Sequence, residues 1–366
     1  MAEEQKKVKV LVLGEIAHAD DKFNDLKKVA TVLQIAEPRL TEQEHQDHKD
    51  GKIKGEELQK ISRTRFLDEI KENEEEYRDV KIICRTFASV GITGRFDAEL
   101  IPELKKAMPN LKFVCHNGAG YDQVDIPSCT KAAIEVSNVR DAVYDSTADL
   151  NMFLILGVLR NFNPGMTQLR TQTEGSKIFV EGIKLGHTPQ GKTLGILGMG
   201  GIGKNLMKKA RAFGMKVIYY NRSGAVKDEK HDKFLRSVTL DELYAQSDVL
   251  SINCPLNDNT RGMIGAKEFA KMKDGVYIVN TARGAIIKEA ELVEALNSGK
   301  VRSVGLDVYE NEPVVHQGLI QNPNVMLIPH MGTHTYESQK LMEEQWLGNA
   351  IKAATEGTLV SKVPDA

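Results

Sequence analysis

Thr193-Leu194-Gly195-Ile196-Leu197-Gly198-Met199-Gly200-Gly201-Ile202-Gly203 is a short apolar run that ends in glycines spaced G-x-G-x-x-G. Thr193–Leu197 has the length and composition of a buried strand. Asn205-Leu206-Met207-Lys208-Lys209-Ala210, just beyond, has the spacing of a helix. Each glycine has its own mechanical reason. Gly198 permits the tight turn, Gly200 lets a pyrophosphate approach the backbone, and Gly203 lets helix and strand pack closely. A phosphate then meets the free N–H groups and the positive end of the helix. A lone glycine triplet is a weak signal. Here the strand before it and the helix after it supply the context, so Gly198, Gly200, Gly201, Ile202 and Gly203 are read as a dinucleotide-binding loop.

Working outward, strands are expected at Lys216–Tyr220, Asp248–Ile252, Val276–Val279, Ser303–Leu306 and Val325–Ile328, with helical patterns in most of the gaps. Strand–helix alternation in this order predicts a doubly wound parallel sheet. Upstream, Val8–Leu13, Val80–Cys84, Leu111–Cys115 and Ala133–Val136 suggest a second parallel sheet. Residues 38 to 78 are crowded with charges of both signs and read as a solvated helix face or loop. The segment from Arg160 to Gly191 contains Pro164, Gly165, Gly175, Gly182, Gly186 and Pro189. It reads as a surface arm or linker, too often broken for one continuous helix.

The composition narrows the function classes. Across 366 residues, 49 Lys and Arg face 51 Asp and Glu, which gives no electrostatic reason to expect nucleic acid or an anionic membrane as partner. No apolar run looks long enough to span a bilayer, and Val8–Leu13 lacks the cleavage site of a signal peptide. A cytoplasmic location is therefore expected. Cys84, Cys115, Cys129 and Cys254 have no metal-binding spacing, so reduced thiols and no metal are expected.

The strand after the glycine loop ends Tyr220-Asn221-Arg222-Ser223. NAD enzymes usually place Asp or Glu about 20 residues past the glycines, on the ribose hydroxyls. Here that position is Asn221. A neutral amide removes the carboxylate that would repel a 2′-phosphate, Arg222 supplies a cation, and Ser223 supplies a hydroxyl. NADPH is the expected cofactor, ahead of NADH. The alternative is that Arg222 stacks on adenine in a cofactor-tolerant site.

Three further blocks stand at or just past predicted strand ends, the edge where open α/β sheets bind ligands. They are Asn280-Thr281-Ala282-Arg283-Gly284, Gly305-Leu306-Asp307-Val308-Tyr309-Glu310-Asn311-Glu312-Pro313 and Pro329-His330-Met331-Gly332-Thr333. They bring an arginine, an acid and a histidine to one edge. Arginine suits a carboxylate because its fork is planar and its charge permanent. Histidine can give or take a proton near neutral pH. A carboxylate on its other ring nitrogen fixes the tautomer. Separately, Arg283 reads equally well as a surface ion pair, Glu312 as a loop charge and His330 as a structural histidine.

These blocks, with the glycine loop and in this order, resemble the D-isomer-specific 2-hydroxyacid dehydrogenase family over nearly the whole chain. The likeness is greatest to fungal glyoxylate reductases, through Asn280–Ala285 and His330–His334. The resemblance implies NAD(P)H-dependent reduction of glyoxylate and other small 2-oxo acids. It gives Arg283 the substrate-binding and polarising role, Glu312 the partner role and His330 the acid/base role. It places Thr147, Cys254, Pro255, Thr260, Thr281, Asp307 and Gly332 along the cofactor, with Asp307 at the nicotinamide amide. In Asn117-Gly118-Ala119-Gly120-Tyr121-Asp122 it assigns the backbone of Ala119 and Gly120 to the substrate carboxylate, with Thr86, Phe87 and Ala88 nearby.

The family's architecture implies a Rossmann-type cofactor domain, 144–334, inserted in a flavodoxin-like substrate domain built from 1–143 and the C-terminal helix 335–366. It also implies a hinge that closes over substrate and a homodimer. Two departures stand out. Lys288 replaces a frequent Asp, and Gly201 replaces a frequent Arg, with weaker cofactor binding expected from the second. A corepressor-like, nicotinamide-sensing scaffold of the same fold is the rival from another class. A phosphoglycerate dehydrogenase is disfavoured because no regulatory domain follows the catalytic portion.

Overall fold

A computed structural model describes residues 7–172, 181–226 and 235–364. The chain forms two compact units, Met1–Ala142 with Thr335–Ala366, and Val143–His334.

The first unit is a five-stranded parallel sheet: β1 (Val8–Leu13), β2 (Ala30–Ile35), β3 (Val80–Thr86), β4 (Phe113–Asn117) and β5 (Glu135–Ser137). The strand order β2-β1-β3-β4-β5 is that of flavodoxin-like folds. The central strands are largely buried on both faces, which explains their mostly apolar composition. β2 escapes sequence reading for the opposite reason. It is an edge strand with a half-exposed pattern, it carries Thr31 and Gln34, and it follows the helix Asp20–Val29 with no turn residue between.

The charged stretch folds as helices Glu42–Lys49, Gly55–Glu72 and Glu74–Tyr77. The longest buries Ser62, Phe66 and Ile70 and turns its other side to water. Arg65–Glu44 at 2.7 Å and Arg39–Glu69 at 2.6 Å tie the segment together. The C-terminal helix Tyr336–Glu356 belongs to this unit. Its buried Glu343 accepts from the N–H groups of Ala17, His18 and Ala19 at 2.8–3.0 Å, past the end of β1. Trp346 donates to the Cys115 carbonyl at 2.9 Å.

The second unit is a seven-stranded parallel sheet: β6 (Thr193–Leu197), β7 (Lys216–Tyr220), β8 (Leu235–Ser237), β9 (Val249–Ile252), β10 (Val276–Asn280), β11 (Val301–Leu306) and β12 (Val325–Leu327). Its order, β12-β11-β10-β9-β6-β7-β8, is the Rossmann order with one added strand, and it reverses direction of growth between β6 and β9. Leu197 lies beside both Tyr220 and Ile252, so the three strands at the reversal end level. β8, a three-residue edge strand, is too short to show a sequence signal.

The helix Tyr144–Leu159 corrects one expectation. With the turn before it, Asp141–Leu159 is long and apolar enough to cross a bilayer by length and composition. Ala148, Leu154, Ile155, Val158 and Leu159 are buried in the sheet's core, and that packing accounts for the helix's apolar character. Within the 160–191 arm, Phe162–Arg170 is a helix. Residues 173–180, including Gly175, lie outside the described residues.

Candidate active site

The glycine loop opens where the strand order reverses. Gly198 has φ +102°, a conformation that L side chains rarely adopt, and a Cβ there would fall 2.8 Å from the backbone of Asn253 and Cys254. The loop after β6 therefore packs against the exit of β9. At Gly203 a Cβ would meet the Gly198 carbonyl at 2.4 Å, so the helix Gly201–Ala212 can begin only with glycine there. At Gly200 a Cβ would meet nothing within 4 Å. That open side fits a pyrophosphate resting on the backbone. Gly201 has a packing reason that the sequence did not reveal. A Cβ would fall 2.2 Å from the ring of Tyr144, so the ring fills the place where a larger side chain would start.

Asn221 accepts from the Met199 N–H at 2.6 Å through Oδ1. Its carbonyl thus pins the glycine loop, and among the described residues the amide's N–H donors have no acceptor. Arg222 and Ser223 follow, both exposed.

Beneath the ends of β9 and β10 lies a buried polar cluster. Asn151 donates to Ser251 Oγ at 2.9 Å and to Thr281 Oγ1 at 2.9 Å, while Ser251 donates back to Asn151 Oδ1 at 3.1 Å. Asn253 joins through Ser251 at 2.8 Å. Asn151, Ser251 and Asn253 were missed by sequence reading. The available signal was a single Asn inside the most apolar helix of the chain. Thr147, on that helix, donates to the Gly332 carbonyl at 3.3 Å. Thr260 is turned into its own loop, donating to the Pro255 carbonyl at 2.7 Å. Cys254 is half-buried, and burial raises its thiol pKa to about 11.

Arg283, Glu312 and His330 converge in this unit. Asn280 shapes the first turn: its amide donates to the Arg283 carbonyl at 2.9 Å and accepts from Ala282 N–H at 3.0 Å. Gly284 then packs directly on Tyr309, with no room for a Cβ. Glu312 Oε2 lies 3.0 Å from His330 Nδ1, and its Oε1 accepts from Tyr309 N–H at 3.0 Å. Burial works against the Glu312 charge, but the His330 hydrogen bond and charge, the Tyr309 N–H and the Arg283 charge outweigh it. The carboxyl ends below its ordinary range. Glu312 is thus an anion at neutral pH and an acceptor only. Nδ1 of His330 therefore carries a proton, and Nε2 is the ring nitrogen left to exchange one.

His330 is also one of few non-glycine residues here in the left-handed region, at φ +53°. Asp307 holds it there. The Asp307 carbonyl accepts from His330 N–H at 2.8 Å. Its carboxylate accepts from Met331 N–H and, at 2.9 Å, from Gly332 N–H. Asp307 is thus an internal pin, and its buried oxygens are already engaged by the histidine's own loop. Burial lifts its pKa to about 6, although those N–H groups and His330 oppose the rise. Lys288 pairs with Glu291 at 3.2 Å on the surface.

In the first unit, the loop after β4 turns its carbonyls inward. Gly118 O accepts from Val139 N–H at 3.0 Å, Ala119 O from Asn138 at 2.8 Å and Tyr121 O from Val124 N–H at 2.9 Å. Gly120 O is 3.0 Å from His116 Nε2. Among the described residues, the N–H groups of Ala119 and Gly120 have no acceptor. Phe87 lies against Gly118 and the His116 ring, below this loop.

A glycine turn open at Gly200 at the reversal point and a carboxylate-backed histidine on the same sheet edge are the features of an NAD(P)-dependent dehydrogenase. Residues 152–332 match the D-isomer specific 2-hydroxyacid dehydrogenase, NAD binding domain, and the chain belongs to that family. It is 46% identical over 356 residues to 4-methyl-2-oxopentanoate reductase A of Aspergillus oryzae, covering 97% of each chain. It is 40% identical to glyoxylate reductase 1 of Saccharomyces cerevisiae, covering 98% of this chain and 95% of the other. The crystal structure of a glyoxylate reductase from Paecilomyes thermophila superposes with a TM-score of 0.84 at 45% identity, covering 98% and 99%. The protein is an oxidoreductase of 2-oxo acids, and the scaffold reading gives way.

The Asp307 pin has a pH signature. Its folded pKa, about 6, stands above the ordinary carboxylate value, so this group favours the folded state while protonated, and that contribution is lost as pH rises through about 6. Asp307→Asn cannot ionise. Its melting temperature relative to the unmodified protein should therefore improve between pH 5 and pH 7. A difference that stays flat or moves the other way contradicts the assignment.

Proposed function

We propose that the protein reduces glyoxylate and other small 2-oxo acids to D-2-hydroxy acids, with NADPH preferred. The observation that carries this reading is the Glu312–His330 contact at 3.0 Å with the Arg283 charge beside it. Bound nicotinamide supplies a hydride to the carbonyl carbon. The chain's own groups do the rest. Arg283 holds the substrate carboxylate and polarises the carbonyl. In the first unit, the Ala119 and Gly120 N–H groups are donors suited to a carboxylate. His330 Nε2 gives its proton to the carbonyl oxygen as negative charge develops there. Glu312 keeps the ring oriented, with Nδ1–H toward the carboxylate and Nε2 toward the substrate.

Cofactor-lining roles fall to Gly198, Gly200, Gly201, Ile202 and Gly203, and to Thr147, Cys254, Pro255, Thr260, Thr281, Asp307 and Gly332. The amide donors of Asn221, with Arg222 and Ser223, support a 2′-phosphate. The relatives named glyoxylate reductase support the substrate class.

We also propose a homodimer built on the arm. Phe153, Phe162, Met166, Leu169 and Leu185 are exposed, an unusual density of apolar side chains on one segment and the adjoining helix.

Initial rates with glyoxylate test the cofactor reading. NADPH should give the higher kcat/KM. Asn221→Asp should shift preference toward NADH, because a carboxylate still accepts from Met199 N–H but repels a 2′-phosphate. A clear NADH preference in the unmodified protein contradicts it. Sedimentation velocity should show a dimer that Leu169→Glu weakens, and a monomer would remove the arm from assembly.

A further inference from the structure

Arg85, near the end of β3, is fully buried. A buried guanidinium is costly unless an anion neutralises it. Among the described residues Arg85 makes no ion pair, and its Nε has no hydrogen-bond partner. Its other nitrogens are committed: Nη1 donates to His116 Nδ1 at 3.2 Å and Nη2 to Gln123 Oε1 at 3.0 Å. The cation also rests on the Phe96 ring, 5.1 Å from its centroid. Burial lowers its pKa to about 10, with the Asp122 charge opposing, so it stays charged at neutral pH.

His116 is buried as completely. Arginine can only donate, so Nδ1 must offer its lone pair and the ring proton sits on Nε2. Nε2 lies 3.0 Å from the Gly120 carbonyl, which can only accept. One form satisfies both contacts, the neutral Nε2–H tautomer. The loop rests directly on this ring, since a Cβ at Gly118 would fall 2.7 Å from Nε2.

We propose that Arg85 and His116 are positioning residues for substrate binding, and that Arg85 is the buried counter-charge of the substrate's carboxylate. The cation fixes His116 as a donor. His116 holds the Gly120 carbonyl inward, and the N–H groups of Ala119 and Gly120 stay free for the anion. The Gly120 carbonyl is held by a ring that a fully buried cation backs, and the Ala119 carbonyl by Asn138, whose Oδ1 accepts from the exposed Arg140 at 3.3 Å. The inference rests on reading this loop as the carboxylate site.

Two measurements on the full-length protein test it. With ¹⁵N-labelled histidine, the His116 resonances, assigned by their loss in His116→Gln, should show a neutral Nε2–H ring at pH 7. An Nδ1–H ring or an imidazolium overturns the proposal. In steady-state reduction of glyoxylate, His116→Ala should raise KM on the order of tenfold, the worth of one hydrogen bond of this kind, with a smaller change in kcat and an unchanged Kd for NADPH. His116→Gln, which can accept from Arg85 and donate to Gly120, should recover most of that loss. Arg85→Met should raise KM as His116→Ala does. A fall in kcat at constant KM, or no rescue by glutamine, means a merely structural role. Ala119→Pro removes one loop N–H and separates the two readings. If it raises KM while the His116 and Arg85 variants do not, the loop reading stands and this proposal fails. If it leaves KM unchanged, the loop reading itself fails.

Discussion

The carboxylate of Asp307 joins the exit of β11 to the exit of β12 by taking the N–H groups of Met331 and Gly332. The rest of the reactive arrangement hangs on that join. His330 stands in a left-handed conformation that costs a non-glycine residue on the order of 1–3 kcal/mol, and it persists because the surrounding backbone is held on both sides. Tyr309 reinforces the join, donating to the Ile328 carbonyl at 2.8 Å while its N–H fixes Glu312. With both strand exits locked, the Glu312–His330 contact becomes a property of the sheet's edge rather than of two flexible side chains.

The two units present backbone N–H groups in related ways. In one, the glycine loop presents a helix N-terminus and an open backbone face at Gly200. In the other, a short loop has its carbonyls tied inward and two N–H groups left without acceptors among the described residues. Both are built from backbone, so neither depends on a particular side chain at its exposed face. What the side chains around them supply is restraint: Asn221 on Met199, Asn138 on Ala119, His116 on Gly120.

How much of this the sequence disclosed follows from the range of each constraint. The glycine loop was legible because its spacing answers to local mechanics of turn, close approach and packing. The central strands were legible because burial on both faces leaves short, mostly apolar runs. β2 and β8 were not, being edge strands with mixed or very short patterns. Arg283, Glu312 and His330 were ambiguous one by one and gained roles through family resemblance. Tyr144 against Gly201, Asn151 beneath β9 and Arg85 against His116 were invisible. Each pairing spans a distance in sequence that no periodicity encodes, and each becomes apparent only when the elements are packed.

The central claim is that His330 supplies the proton as hydride reaches the carbonyl carbon. A single-turnover experiment measures it most directly: His330→Ala saturated with NADPH, mixed with glyoxylate, with the loss of reduced nicotinamide absorbance followed in time. Cofactor affinity should be unchanged and the rate of oxidation should fall by about 10²–10⁴, the usual contribution of a positioned acid/base group. A rate close to that of the unmodified protein would contradict the account.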